Sequence, residues 1–189
     1  MSYLIALIIY IIFWLWYCGL GTKVSQKDID LWYQQSLQLR QFDEQHLIKV
    51  KQFFEQDDGK EFVMVNALQL KSPKSESLEH LQSYAKKFFG FALIRACHPL
   101  LAGKVIGNNI ELIGIPATNW DSFFLVRYRS RKDLLATMQH IMGQDHQLKL
   151  LALDKTFAAP VSPRANPSNP KLLVGLLLLA LAGLAHLQI

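Results

Sequence analysis

The sequence predicts an α+β fold, in which one antiparallel sheet of the split βαβ arrangement is flanked by a transmembrane helix at each end of the chain. Three observations lead to this prediction. Apolar segments occupy both termini, the patterns between them follow the order β, α, β, β, α, β, and one strand is apolar on both faces. The 189 residues are enough for one domain with its own core and these additional segments.

The first apolar segment, residues 3–20, carries no charged side chain. As a helix it would extend about 27 Å, which is close to the thickness of the hydrocarbon layer of a bilayer. A cleaved signal peptide would begin with basic residues and end in small ones, and neither is present. Trp14, Trp16 and Tyr17 instead suit the aromatic belt at a membrane surface. We therefore expect residues 1–21 to form an uncleaved membrane anchor.

The second apolar segment closes the chain, and residues 171–189 are predicted to form a C-terminal transmembrane helix. Its length is marginal for a span, so a helix lying against the first one or against a partner stays an alternative. A proline-rich stretch, residues 161–170, precedes it and is expected to be a stiff linker.

Basic residues indicate the orientation of the domain between the two segments. Lys23 and Lys27 follow the first segment, and Arg164 and Lys171 precede the second, so the positive-inside rule places the domain in the cytoplasm. We expect a protein of the bacterial inner membrane. The net charge of +5 and the pI near 9.2 suit a domain beside anionic lipid. The expected partner is therefore the bilayer, and nucleic acid is not expected.

Residues 22–58 predict an amphipathic helical stalk. Apolar side chains, among them Trp32, Leu47 and Phe54, recur at helical spacing, and residues 57–59, Asp-Asp-Gly, would end the helix. The apolar stripe favours packing against the domain that follows over standing free in solution.

Residues 59–160 predict a ferredoxin-like domain that begins with the strand EFVMVNALQL, residues 61–70. Alternation places Met64 and Asn66 on one face of this strand and Val63 and Val65 on the other. Both faces are apolar, which is typical of a strand covered on two sides.

The elements that follow are also predicted from periodicity and turn residues. They are a helix at 76–96 ended by Pro99, strands LLAGKVIG and IELIG joined by a turn at Asn108 and Asn109, a strand at 120–128, a helix from Arg131 capped by Ser130 with Asp133, a short helix at 146–153 and a strand at 155–161. This order leaves one face of the sheet without helices. A second copy packing sheet to sheet is the expected cover, with Asn66 either in the cavity between the sheets or beneath the helices.

Three segments together resemble a bacterial family of domains of unknown function within the dimeric α+β barrel superfamily. They are FFEQDDGKEFVMVNALQLK, WDSFFLVRYRSRKDLLATM and HQLKLLALDKT, with Tyr84 and Gly103 between the first two, and they cover roughly residues 53–158. The family pattern has Leu where this chain has Ala67, Pro where it has Arg129 and Arg where it has Gln147. The resemblance implies a dimeric barrel whose wider relatives include cofactor-free monooxygenases, isomerases and haem enzymes.

Asn66, Tyr128 and His146 are the candidate catalytic residues. Burial of an amide costs about 1–3 kcal/mol unless it is hydrogen-bonded, so Asn66 is expected either to orient a ligand or to tie neighbouring strands together. Histidine ordinarily titrates near neutral pH, so His146 is a candidate general base. Its spacing from His140 does not suit a metal pair, and we expect no metal and no cofactor.

The candidate ligand-binding residues are Asn66, Trp120, Arg127 and Arg129. The two arginines share one face of a predicted strand and could bridge a phosphate or a lipid head group. A solvated strand end is the alternative interpretation of the same basic run.

Two classes of function remain open from the sequence. The leading interpretation is a membrane-anchored cytoplasmic α+β barrel domain that acts as an accessory or assembly subunit, either as a homodimer or with other membrane subunits. The alternative is an enzyme of the cofactor-independent monooxygenase or isomerase type, or a binder of a small apolar molecule in the sheet cavity. The sequence has no glycine-rich phosphate loop and no serine elbow.

Overall fold

The computed structural model describes residues 1–111, 113–114, 119–164 and 170–187. Within these residues the chain forms a mixed α+β structure with one four-stranded antiparallel sheet, as predicted. In chain order its elements are α1 Ser2–Cys18, α2 Gln26–Leu39, α3 Glu44–Glu55, β1 Phe62–Leu70, α4 Lys74–Ala92, a 3₁₀ turn Leu93–Arg95, β2 His98–Lys104, β3 Ser122–Tyr128, α5 Arg131–His140, α6 Gln144–Ala152, β4 Leu153–Val161 and α7 Pro170–Leu187.

The strands lie in the order β2-β3-β1-β4, so β1 is hydrogen-bonded along both of its edges. Asn66 stands opposite Phe124 of β3 and Ala158 of β4. The apolar sequence of β1 suits this central position, because a central strand is enclosed by neighbours as well as by the layers above and below it.

Residues 22–58 form two helices, whereas the sequence pattern suggested one. Helix α2 ends at Leu39, and the residue after it, Arg40, has the left-handed backbone conformation with φ 50°. Asp43 caps α3 by accepting a hydrogen bond from the His46 amide. Trp32, Leu47 and Phe54 are 2%, 1% and 1% exposed in the same core as α4, α5 and β3. The two helices therefore belong to the domain core.

The segment between β2 and β3 differs from the prediction. Residues 110, 111, 113 and 114 are not in a strand, and Leu112 lies outside the described residues, as do residues 115–118. Asn108 and Asn109 therefore do not form a hairpin turn. Strand β2 instead pairs directly with β3, and Pro99 lies within β2 at the edge of the sheet rather than ending a helix. An edge strand tolerates proline because one side of its backbone needs no partner strand.

The predicted cap of α5 is confirmed. Ser130 accepts a hydrogen bond at 3.1 Å from the backbone amide of Asp133, and the helix begins at Arg131. This contact satisfies one of the amide groups that have no partner within the first turn of a helix.

The terminal helices α1 and α7 pack against each other. Tyr10 donates a hydrogen bond to the Lys171 carbonyl at 3.2 Å, and its ring lies so near Gly175 that an added Cβ would be 3.2 Å away. Their outer faces are exposed, for example Leu4 at 61% and Leu173 at 70%. Among the described helices, α7 alone has the length and composition to cross a membrane, and α1 is apolar but shorter. Residues 165–169 of the predicted linker and the last two residues lie outside the described residues.

The helices α4 and α5 cover one face of the sheet, and the other face is only partly covered. Tyr17, at the end of α1, packs on Arg127 at one end of this second face and is 2% exposed. Elsewhere on the same face, four apolar side chains are solvent-exposed: Leu101, Phe123, Phe157 and Val161. The chain therefore covers by itself one end of the face for which the sequence analysis invoked a second copy.

Candidate functional site

A cavity of about 710 Å³ lies between the sheet and the helices that cover it. We call it the helix-side cavity. Side chains of Met64, Asn66, Tyr128 and Ala158 form its floor because they alternate onto the helix side of their strands. Helices α2 to α6 supply its walls. Its volume is within the range of about 300–1,000 Å³ in which proteins hold small ligands.

Most of the lining is apolar. The apolar lining side chains include Trp32, Leu39, Phe42, Val50, Phe53, Phe88, Leu134, Met138, Ile141 and Met142. Methionine side chains are flexible and polarisable, so this lining can adapt to the shape of an apolar molecule. The cavity lies within one chain, beneath the helices. Of the two positions that the sequence allowed for Asn66, the structure has the one beneath the helices.

Asn66 is held to the sheet by its amide nitrogen. This nitrogen donates hydrogen bonds to the Met64 carbonyl at 3.1 Å and to the Phe124 carbonyl at 3.4 Å. Its side-chain oxygen accepts no hydrogen bond from the part of the chain that the structure describes. The residue thus ties two strands together and also presents an acceptor at a cavity wall.

His146 projects from α6 next to Phe42, with 5.0 Å between the ring centroids. Its Nε2 atom is buried and has no hydrogen-bond partner among the described residues. Burial, together with the charges of Lys149 and His46, lowers the pKa of His146 to about 4. The ring is therefore neutral at pH 7 and available to donate to or accept from a ligand.

This lowered pKa predicts a dependence of stability on pH. Between pH 6.5 and about 4, the unfolded chain binds a proton at His146 that the folded chain does not bind. The free energy of unfolding should therefore fall as the pH is lowered through this range, by at most about 1.4 kcal/mol per pH unit. Urea unfolding at pH 7 and pH 5 measures it. His146→Asn should flatten the slope, and equal slopes in wild type and His146→Asn would contradict the prediction.

Two phenols and one ammonium group complete the polar lining. Burial raises the pKa of Tyr84 and of Tyr128 well above the ordinary range, so both phenols stay protonated hydrogen-bond donors. The Lys149 ammonium lies 5.9 Å from the centroid of the Tyr84 ring, and burial lowers the pKa of Lys149. Tyr128 is held in place by stacking on Phe62, with 5.1 Å between centroids.

The structure brings Asn66, Tyr128 and His146 together in this cavity but places Trp120 elsewhere, against Phe123. Arg127 and Arg129 also lie outside the cavity. Among the described residues no three His, Cys, Asp or Glu side chains come together in a way that would hold a metal ion.

Both arginine side chains are occupied by groups of the protein itself. Arg127 is 2% exposed, contacts Glu61 at 2.6 Å, donates to the Ala96 and Tyr17 carbonyls, and stacks on the Tyr17 ring. Arg129 donates two hydrogen bonds to Asp133 and one to the Trp16 carbonyl. Instead of holding a head group, the pair binds the last carbonyl groups of α1, which have no partner within the helix.

Lys149, Tyr84 and His46 line the cavity and were not selected as site residues from the sequence. The available signal was the spacing of His146 and Lys149, which are three residues apart and therefore share one face of a helix. The position of His46 in the cavity lining could not be predicted from the sequence, because it depends on how α3 packs against the domain.

Comparisons with known proteins identify no family. No family model matches the chain, and no curated protein matches it. Two crystal structures match at 15% sequence identity. The RPA0582 protein of unknown function from Rhodopseudomonas palustris has a TM-score of 0.49, and the match covers 66% of this chain and 96% of that chain. The methylated RPA0582 protein has a TM-score of 0.48, and the match covers 68% of this chain and 96% of that chain. These values assign neither a fold family nor a function, so the resemblance to the dimeric α+β barrel superfamily stays a prediction.

Proposed function

We propose that this chain is a membrane-anchored domain that binds a small, largely apolar molecule in the helix-side cavity. The observation that carries the proposal is the cavity itself, whose apolar lining surrounds a few convergent polar groups. That combination is characteristic of ligand pockets. The volume is formed within one chain, so a single copy suffices to bind the ligand.

The proposed fold is the ferredoxin-like split βαβ arrangement of the dimeric α+β barrel type. The strand order β2-β3-β1-β4 supports it, because two βαβ units that interleave place their first strands in the centre of the sheet. Helices α2 and α3 are additions that close the cavity on one side.

A location at the cytoplasmic face of the bacterial inner membrane fits the contacts of α1 and α7. The Trp16 indole donates to the Ile94 carbonyl at 2.8 Å, so the domain lies directly at the end of the helix pair. Lys23, Lys27 and Lys171 lie on that side of the apolar segments. An apolar ligand that leaves the bilayer would then cross little water before it enters the domain.

An accessory or assembly role is the second candidate, and the partly uncovered sheet face supports it. Leu101 and Phe157 are 55% and 51% exposed at opposite edges of this face, with Phe123 between them. Exposed apolar side chains of this kind can pack on the same side chains of a second copy related by a twofold axis. Catalysis by Asn66, Tyr128 and His146 without a cofactor would use the helix-side cavity and is compatible with binding there.

Native mass spectrometry of the full chain, released from mild detergent, tests the binding proposal. The wild-type chain should carry a small molecule, and Ala158→Phe, which fills the cavity floor, should lose it. Ala159→Phe is the matched control because the adjacent residue of β4 points to the opposite face. An empty wild-type chain, or a bound molecule that Ala158→Phe retains, contradicts the proposal. The same spectra report whether the chain is a dimer.

A further inference from the structure

We propose that the ligand of the helix-side cavity is a single-chain amphiphile with an anionic head group, a carboxylate or a phosphate, which binds to Lys149. This inference rests on the proposed function and adds the chemical class of the ligand. It is carried by the charges that line the cavity, by the lack of partners for two of its polar groups, and by the separation of its polar and apolar ends.

The titratable lining is basic or phenolic throughout. His46, Lys49, His146 and Lys149 line the cavity, whereas no Asp or Glu does so among the described residues. The nearest acidic neighbour in sequence, Asp145, is already paired with Lys87. The cavity therefore presents positive charge without a protein counter-charge, and an anion is the complementary ligand.

Two polar groups at this end of the cavity lack partners. Lys149 forms no ion pair or hydrogen bond within the part of the chain that the structure describes, and the buried Nε2 of His146 likewise has none there. Lys149 is half-buried, and this burial lowers its pKa because an ammonium group withdrawn from water is costly unless an opposite charge approaches it. A bound anion would remove this penalty and accept hydrogen bonds from both residues.

The positions of these groups define one binding point. His146 and Lys149 lie on one face of α6, and both approach Tyr84, whose ring centroid is 6.4 Å from that of His146. The Tyr84 phenol is a protonated donor because burial raises its pKa. The Lys149 ammonium and the His146 imidazole thus lie together beside the Tyr84 ring, where an oxyanion head group would bind.

The rest of the lining determines the orientation of the ligand. Met64 and Pro160 face each other near the start of β1, where Glu61 connects through Arg127 to the end of α1. Lys149 lies on α6, which leads directly into β4, and the first residue of β4 pairs with Leu70 at the other end of β1. The apolar tail would therefore point towards the membrane helices and the head group away from them.

A comparison of three eight-carbon compounds tests the inference. The full chain is reconstituted in phosphatidylcholine nanodiscs and dialysed to equilibrium against radiolabelled octanoate, octyl phosphate or octanol, with empty discs as the reference. The wild-type chain should bind at least one of the two anions about 10-fold more tightly than octanol. The comparison of octanoate with octyl phosphate identifies the head group.

Variants assign the effect to Lys149. Lys149→Gln should abolish the preference for the anion, whereas Lys149→Arg should retain the preference. Lys86→Gln is the control, because Lys86 is exposed and does not line the helix-side cavity. A Lys149→Gln chain that keeps the preference overturns the assignment to Lys149.

The wild-type measurements separate failure of this inference from failure of the proposed function. If the anions and octanol bind equally tightly, the head-group inference is wrong and the binding function stands. If none of the three compounds binds, the proposed function itself fails. These outcomes need only the wild-type chain. The test of the head-group charge therefore stands even if the Lys149→Gln chain does not fold.

Discussion

Replacement of Arg127 by alanine is expected to lower the free energy of unfolding by about 3 kcal/mol. The guanidinium is buried, and its removal leaves the Ala96 and Tyr17 carbonyl groups without the donor that they share. It also removes the partner of Glu61 and the ring contact with Tyr17 at 3.8 Å. The expected loss of stability is at the low end of the range for breaking a buried ion pair, because the Glu61 side chain is 32% exposed and can be hydrated.

Urea unfolding of the full chain in micelles, followed by tryptophan fluorescence, measures this effect. Arg127→Lys should be intermediate, because an ammonium group keeps the charge but cannot reach Glu61 and both carbonyl groups at once. Lys132→Ala, an exposed position nearby, is the control and should change stability by less than about 0.5 kcal/mol. If Arg127→Ala were as stable as Lys132→Ala, the packing of α1 on the sheet would be wrong.

Replacement of Leu47 by alanine is expected to lower the free energy of unfolding by about 3 kcal/mol. Leu47 is 1% exposed in α3, within the same core as Phe54 and Leu135, and truncation would leave a cavity there. Leu31→Ala in α2 is the matched control, since Leu31 is 49% exposed. The same urea titration distinguishes them. Equal, small effects for both leucines would mean that α2 and α3 form a separate stalk and do not close the helix-side cavity.

Most of the sheet could be predicted from local patterns. Strand β1 has two-residue alternation and β4 a short apolar run, and the cap at Ser130 locates α5 within a residue. The strand expected at residues 110–114 was wrong because local alternation cannot indicate which segment pairs with β3. Pairing depends on contacts along the whole edge of β3, and the segment that pairs there is the seven-residue strand His98–Lys104.

The candidate site could be predicted only in part. Asn66, Tyr128 and His146 stand out as polar groups in apolar segments, and they do share one cavity. Both faces of β1 are apolar, so the sequence did not determine which face the helices cover. Arg127 and Arg129 illustrate a different limit, because a basic strand end looks the same in sequence whether it binds a ligand or the carbonyl groups of a distant helix.

The Glu61 carboxylate contacts Arg127 at 2.6 Å and Lys171 at 3.7 Å, and Arg127 in turn reaches Tyr17. These contacts link the N-terminal helix, the C-terminal helix and the first strand at one point. A movement of the helix pair relative to the domain would therefore be transmitted to the strand that carries Met64 and Asn66. The shape of the helix-side cavity would thus respond to forces that act on the two terminal helices.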